Sequence, residues 1–135
     1  MNYILNDIPD RESKPREKGV TMVMDKGLSL RQVEDLLEVA TPHMDIVKLG
    51  WATSYVTPNL QEKVKLYQSA GIPVYLGGTL FEAFTIRNQF EDYLRVLEKF
   101  GITHAEVSDG SMNMDHDEKC EYIRTMSKHV TVLSE

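Results

Sequence analysis

Cysteine is nearly absent from this chain of 135 residues. Cys120 is the only one, so no internal disulfide can form and a reducing, cytoplasmic setting is expected. No apolar run approaches the ~20 residues a membrane-spanning helix needs. The first stretch, "MNYILNDIPDRESKPREKG", lacks the apolar block of a signal peptide and reads as a polar, loop-like lead-in over residues 1–18. Excess positive charge is also missing. The net charge of −6 argues against a nucleic-acid binder with a broad basic surface. What remains, 41% hydrophobic and 27% charged, is the composition of one ordinary globular domain spanning residues 1–135.

Five short apolar runs recur at intervals of about one strand–helix unit. They are "VTMVM" from Val20, "MDIVKLG" from Met44, "IPVYLGG" from Ile72, "HAEVSDG" from His104 and "HVTVLSE" from His129. The segments between them carry helical periodicity. Ser29 and Gln32 have capping-box spacing, ahead of Val33, Leu36, Leu37 and Ala40 on one face. Thr57 and Pro58 suit an N-cap and first helical position before the stripe Leu60, Val64, Tyr67, and Gly71 suits the stop. Phe90, Tyr93, Leu94 and Leu97 form a third stripe ending at Gly101. Asp115 with Glu118 opens a fourth, carrying Tyr122, Ile123 and Met126. Such alternation implies a parallel sheet with right-handed crossovers. An open doubly wound sheet and the first part of an eight-stranded barrel both fit. In either, ligands sit at the carboxyl ends of the strands.

Those ends hold the chemistry. Asp25, Lys26 and Gly27 follow the first strand; Lys48 lies in the second, with Trp51, Thr53 and Ser54 beyond it. "GGTLFE", residues 77–82, follows the third. Its glycines allow a tight strand-to-helix turn, with Thr79 and Glu82 at capping-box spacing. A glycine turn before a helix also exposes N–H groups to an anion. Lys48 in an apolar strand is either a solvated strand-end lysine or a group projecting into a barrel mouth. Glu106 is either the ion-pair partner of a lysine on a neighbouring strand or a ligand for a hard cation such as Mg²⁺. Asp25, Asp109 and Glu135 add carboxylates that need a counter-ion. Trp51 serves as core filler or lid. His43, His104, His116 and His129 lack metal-ligand spacing, and Cys120 has no marked partner within its helix.

Together the segments "KPREKGVTMVMDKGL", "DIVKLGWATS", "VYLGGTLFE", "EVSDGSM" and "VLSE" resemble the phosphosulfolactate synthase family, in its order and spacing. Ala52 replaces an expected glycine and Leu76 a common proline; neither change removes a functional group. Family members continue past "VLSE" through a glycine and a lysine into three more strand–helix units, so the resemblance covers a little over half of the family fold. It implies an α/β fold of the (β/α)₈ TIM-barrel type, with about five strands and four helices present as a partial barrel. It implies a lyase that adds sulfite to phosphoenolpyruvate, with Mg²⁺, to give (R)-phosphosulfolactate, in coenzyme M or sulfolactate biosynthesis.

The chemistry that the resemblance implies asks for these residue types. Sulfite attacks the methylene carbon, charge moves onto the substrate carboxylate as an aci-carboxylate, and a protein acid then protonates the central carbon. Both substrates are anions, so Lys26 and Lys48 are expected to offset their charge, with Glu135 beside them. Glu106 and Glu135, with Asp25 and Asp109, are the expected Mg²⁺ ligands. Gly77, Gly78, Thr79, Thr53, Ser54 and Ser108 are expected to bind substrate. The family lysine just beyond "SE", the natural candidate for the acid, is outside this chain. The expected partners are the small anions, another copy of the chain or the other half of the barrel, and neither nucleic acid nor membrane. Two other readings remain open at this point. One is a non-catalytic anion-binding half-barrel; the other is a phosphate-handling aldolase with Lys48 as Schiff base.

Overall fold

The computed structural model describes residues 4–135. The strands are β1 (Met22–Asp25), β2 (Ile46–Leu49), β3 (Val74–Leu76), β4 (His104–Val107) and β5 (Thr131–Ser134). Every pairing is parallel, and the strands lie side by side in sequence order. A doubly wound sheet reverses its strand order at a switch point. No reversal occurs here, so the sheet is one arc of a (β/α) barrel, which decides between the two architectures left open by the sequence.

Register sorts the side chains into two faces, because partnered residues of parallel strands point the same way and neighbours along a strand alternate. Met24, Lys48, Tyr75, His104 and Thr131 are register partners across the sheet and share one face. Val23, Val47, Leu49, Val74, Leu76, Ala105, Val107 and Val132 share the other, and all belong to or pack on the hydrophobic core. The helices therefore cover one face only. On the opposite face Met22 and Met24 remain exposed.

The helices are α1 (Leu30–Ala40), α2 (Thr53–Val56), α3 (Leu60–Ser69), α4 (Gly78–Thr85), α5 (Phe90–Phe100) and α6 (His116–Met126), with a 3₁₀ turn at Thr41–His43. The sequence pattern leads to four; α2 is too short to show periodicity, and α4 sits in the same crossover as α5. Local chemistry explains most boundaries. Ser29 and Gln32 form the expected capping box of α1, with N–H···O distances of 3.3 and 2.9 Å. Gly101 ends α5 in the left-handed region at φ 62°, where a side chain would be strained.

Three caps differ from expectation. Thr57 closes α2 instead of opening α3: its hydroxyl donates to the Thr53 carbonyl at 2.8 Å, and Asn59 at φ 56° precedes α3. Asp115 caps α6 through the Asp117 N–H at 2.9 Å, while Glu118 accepts from the Tyr122 hydroxyl at 3.3 Å. Thr79 lies inside α4, whose N-cap is Gly77, and the Glu82 carboxylate turns to another loop. In each case a neighbouring or tertiary partner takes the side chain that local spacing assigns to the cap.

Packing joins these pieces. Phe81 of α4 makes edge contacts with Tyr93 of α5 and Tyr122 of α6, at 5.8 and 5.4 Å between ring centroids. Each fully buried aromatic or aliphatic side chain in the core contributes about 1.5–3 kcal/mol through burial. The described part of the lead-in contains no helix or strand but is anchored at the amino ends of the strands. Arg16 pairs with Asp45 at 2.7 Å and donates to the Pro42 carbonyl at 2.9 Å.

Candidate active site

Lys48 projects from β2 on the face without helices. Its ammonium lies 2.8 and 2.7 Å from the two carboxylate oxygens of Glu106 on β4, passing over the intervening β3. A third oxygen, Glu135 Oε2, is 3.5 Å away. Lys48 and Glu106 are 9% and 4% exposed, so the pair is held largely out of water, where an unpaired charge would be costly. Glu135 follows β5 and is placed by its N–H, which donates to the Val107 carbonyl at 3.1 Å. The nearby Lys48 ammonium holds the Glu135 carboxyl below the usual carboxylate range. The bland reading of Glu106 and the functional one thus meet: it pairs with a lysine, but two strands away and at the carboxyl end of the sheet.

Tyr75 joins this group, although sequence reasoning did not single it out. It is the register partner of Lys48 and is buried. Burial, followed by the charges of Glu106 and Glu135, pushes its phenol up to about 12. The signal that could have found it was strand alternation: aligning β2 with β3 sets the tyrosine beside the lysine.

The two glycines admit close backbone approach. A Cβ on Gly77 would stand 2.6 Å from the Trp51 carbonyl oxygen. One on Gly78 would stand 2.6 Å from Glu106 Oε1 and would also strike Ser108. Both N–H groups are engaged. Gly77 donates to the Leu49 carbonyl at 2.9 Å, and Gly78 donates to Glu106 Oε1 at 2.8 Å. The positive end of α4 therefore meets an anion, and that anion is the protein's own Glu106. Glu82, one turn along α4, accepts from the hydroxyls of Ser108 and Ser111 and from the Ser111 N–H at 3.0 Å. It is buried and ties α4 to the loop after β4.

The other expected residues stand apart. Asp25 shares the face of Val23, toward the helices. Its carboxylate accepts from the N–H groups of Gly27 and Leu28 at 2.8 Å, from the Tyr67 hydroxyl at 3.0 Å, and pairs with Lys63 of α3 at 3.1 Å. Both oxygens are occupied on the wrong side of the sheet for a ligand shared with Glu106. Asp109 pairs with Lys119 at 2.8 Å, and that hydrogen bond lowers its pKa. Lys26 is exposed, with its ammonium over the Trp51 ring at 5.2 Å. The Thr53 hydroxyl donates to the Gly50 carbonyl at 2.9 Å, and the buried Ser54 hydroxyl has no partner among the described residues.

Among the described residues no three His, Cys, Asp or Glu side chains gather as a metal site. Two carboxylates do meet, Glu106 and Glu135, with one lysine between them. One or two carboxylates, completed by water and substrate oxygens, are what Mg²⁺ commonly takes from a protein, so this donor set fits the ion.

The family model for (2R)-phospho-3-sulfolactate synthase matches residues 9–135. A phosphosulfolactate synthase of Bacillus subtilis (strain 168) is 36% identical over 135 residues, covering 100% of this chain and 54% of the relative. That of Methanothermobacter thermautotrophicus is 35% identical over 130 residues, covering 94% of this chain and 50% of the relative. That of Methanocaldococcus jannaschii is 41% identical over 110 residues, covering 80% and 44%. The chain spans about half the length of the curated relatives it matches. With a sheet wound as a barrel arc and a family match across nearly all of its residues, the chain belongs to the phosphosulfolactate synthase family of enzymes.

Proposed function

We propose that this chain carries part of the active site of a lyase that adds sulfite to phosphoenolpyruvate to give (R)-phosphosulfolactate. The observation that carries the reading is the Lys48 ammonium buried against Glu106 and near Glu135, on the face where a barrel encloses its site. In the reaction a carbon–sulfur bond forms at the methylene carbon. The double-bond electrons move toward the carboxylate, and the central carbon then takes a proton. Two anions must approach one another, and Lys48 offsets their charge. Glu106, fixed by Lys48 and the Gly78 N–H, keeps that ammonium in place. Glu82 holds Ser108, which lies with Glu106 over Gly78, and ties in Ser111 of the following loop. Mg²⁺, when bound by Glu106 and Glu135, supplies a Lewis acid for the developing charge on the substrate carboxylate. Forming a Schiff base at Lys48 would leave its nitrogen at most one N–H in place of the two contacts it makes with Glu106, which disfavours the aldolase reading.

The test uses the full-length protein and follows sulfite-dependent consumption of phosphoenolpyruvate. Lys48→Ala is expected to lower turnover by roughly 10²-fold or more. Lys48→Arg should restore only part of it, because a planar guanidinium cannot reproduce the lysine's position over Glu106. Near-normal turnover in Lys48→Ala, or trapping of a substrate carbonyl on Lys48 by borohydride, would overturn the assignment.

A further inference from the structure

Lys26 stands on an exposed turn at the end of β1, yet two separate contacts fix where its charge lies. The first comes from the helix-covered face. The buried Asp25 carboxylate accepts from the N–H groups of Gly27 and Leu28 at 2.8 Å, so it folds the chain around Lys26. Tyr67 at 3.0 Å and Lys63 at 3.1 Å hold the same carboxylate from α3, and both are buried. A buried ion pair is a weak source of net stability, so what it holds in place is its more telling property. Here it holds the turn.

The second contact is aromatic. The Lys26 ammonium lies over the Trp51 ring, 5.2 Å from its centroid. Trp51 sits at φ 50°, a strained conformation for a residue with a bulky side chain. Its neighbours keep it there. The Gly50 N–H donates to the Asp25 carbonyl at 2.8 Å, and a Cβ on Gly77 would stand 2.6 Å from the Trp51 carbonyl oxygen. The loops after β1, β2 and β3 therefore form one ledge, with Lys26 as a cation on it. Among the described residues that ammonium forms no ion pair, so its charge is not offset within the chain.

We propose that Asp25 and Trp51 are positioning residues for Lys26: Asp25 sets the turn and the indole carries the ammonium, so that the charge meets an incoming anionic substrate. Both act through Lys26, without a contact of their own to substrate. The identity of that substrate rests on the proposed sulfite addition, whereas the clamp on Lys26 is tested without it.

Two measurements on the full-length protein decide the matter. The first needs no turnover. The Trp51 indole N–H NMR signal, identified by its loss in Trp51→Phe, reports the stacked ammonium. Lys26→Met should shift it, and Asp25→Asn should move it in the same direction. Tyr67→Phe, a milder change that removes one donor to the carboxylate, should do so to a smaller extent. An indole signal unmoved by Asp25→Asn and Tyr67→Phe would overturn the clamp, whatever the reaction. The second is a double-mutant cycle on kcat/KM for phosphoenolpyruvate. Lys26→Met is expected to lower it by about tenfold, and Trp51→Leu and Asp25→Asn by roughly two- to fivefold each. In the Lys26→Met background both should lose that effect, although Asp25→Asn should still lower the melting temperature. Effects of full size in that background would mean a structural role alone and would overturn the positioning. Failure of the wild type to consume phosphoenolpyruvate with sulfite would sink the proposed reaction and not the clamp, which the indole signal decides.

Discussion

Gly78 has room for a hydrogen and nothing larger, because Glu106 and Ser108 close over its α-carbon. Glu106 cannot withdraw cheaply while it accepts from Lys48 and from Gly78 itself. Gly78→Ala is therefore expected to cost about 1–3 kcal/mol in urea denaturation, the range for overpacking. Gly110, with open space around its α-carbon, is the control; its alanine variant should stay within about 0.5 kcal/mol of the parent. Lys63 sets a second residue-scale test. It is buried with Asp25 as its partner, so Lys63→Met leaves a buried carboxylate without its cation and should cost about 3 kcal/mol. If Asp25 were instead a Mg²⁺ ligand, Asp25→Asn would weaken the ion's binding as strongly as Glu135→Gln does. The geometry leads us to expect Asp25→Asn to lower stability and leave Mg²⁺ affinity unchanged.

Among the elements, all five strands were legible as apolar runs bounded by turn residues, because their core-facing positions are almost uniformly Val, Leu and Ala. The faces were harder to read. Lys48 and Glu106 stood out as charges in apolar strands, yet Asp25 looked equally suitable until alternation with Val23 turned it toward the helices. The "GGTLFE" stretch was legible as a strand-to-helix turn but not as a cradle for Glu106, since that partner lies 28 positions away. The lead-in yields an element-scale prediction. Asp45 accepts from the Thr21 N–H at 2.8 Å and faces Arg16 and Arg11, and these together lower its pKa below 3.8. A depressed carboxylate stabilises the fold fully above its unfolded pKa and loses that contribution as pH falls through the folded value. Wild type should melt above Asp45→Asn at neutral pH, and the gap should close only below about pH 4. A gap independent of pH down to full acid unfolding would mean that the carboxylate's charge plays no part.

At the scale of the whole molecule, the sheet has two edges, β1 and β5, among the described residues. A closed barrel has none. The face carrying Lys48 also lacks a helix layer, and it exposes Met22 and Met24 beside the charged cluster. Unpaired strand edges next to exposed apolar side chains form a template for pairing with another chain. Residues 1–135 taken alone are therefore expected to self-associate in a concentration-dependent way and to show no sulfite-dependent turnover. Light scattering across a dilution series measures the first, and a phosphoenolpyruvate assay the second. Replacing Met22 and Thr131 by lysine, one on each edge strand, should shift the equilibrium toward monomer, because edge lysines oppose strand addition while leaving the core intact. Supplying the other barrel half as a separate polypeptide should compete with self-association and recover part of the turnover. A monodisperse, active monomer of residues 1–135 would mean that five strands complete the site, and that the edges are protected by some means other than closure.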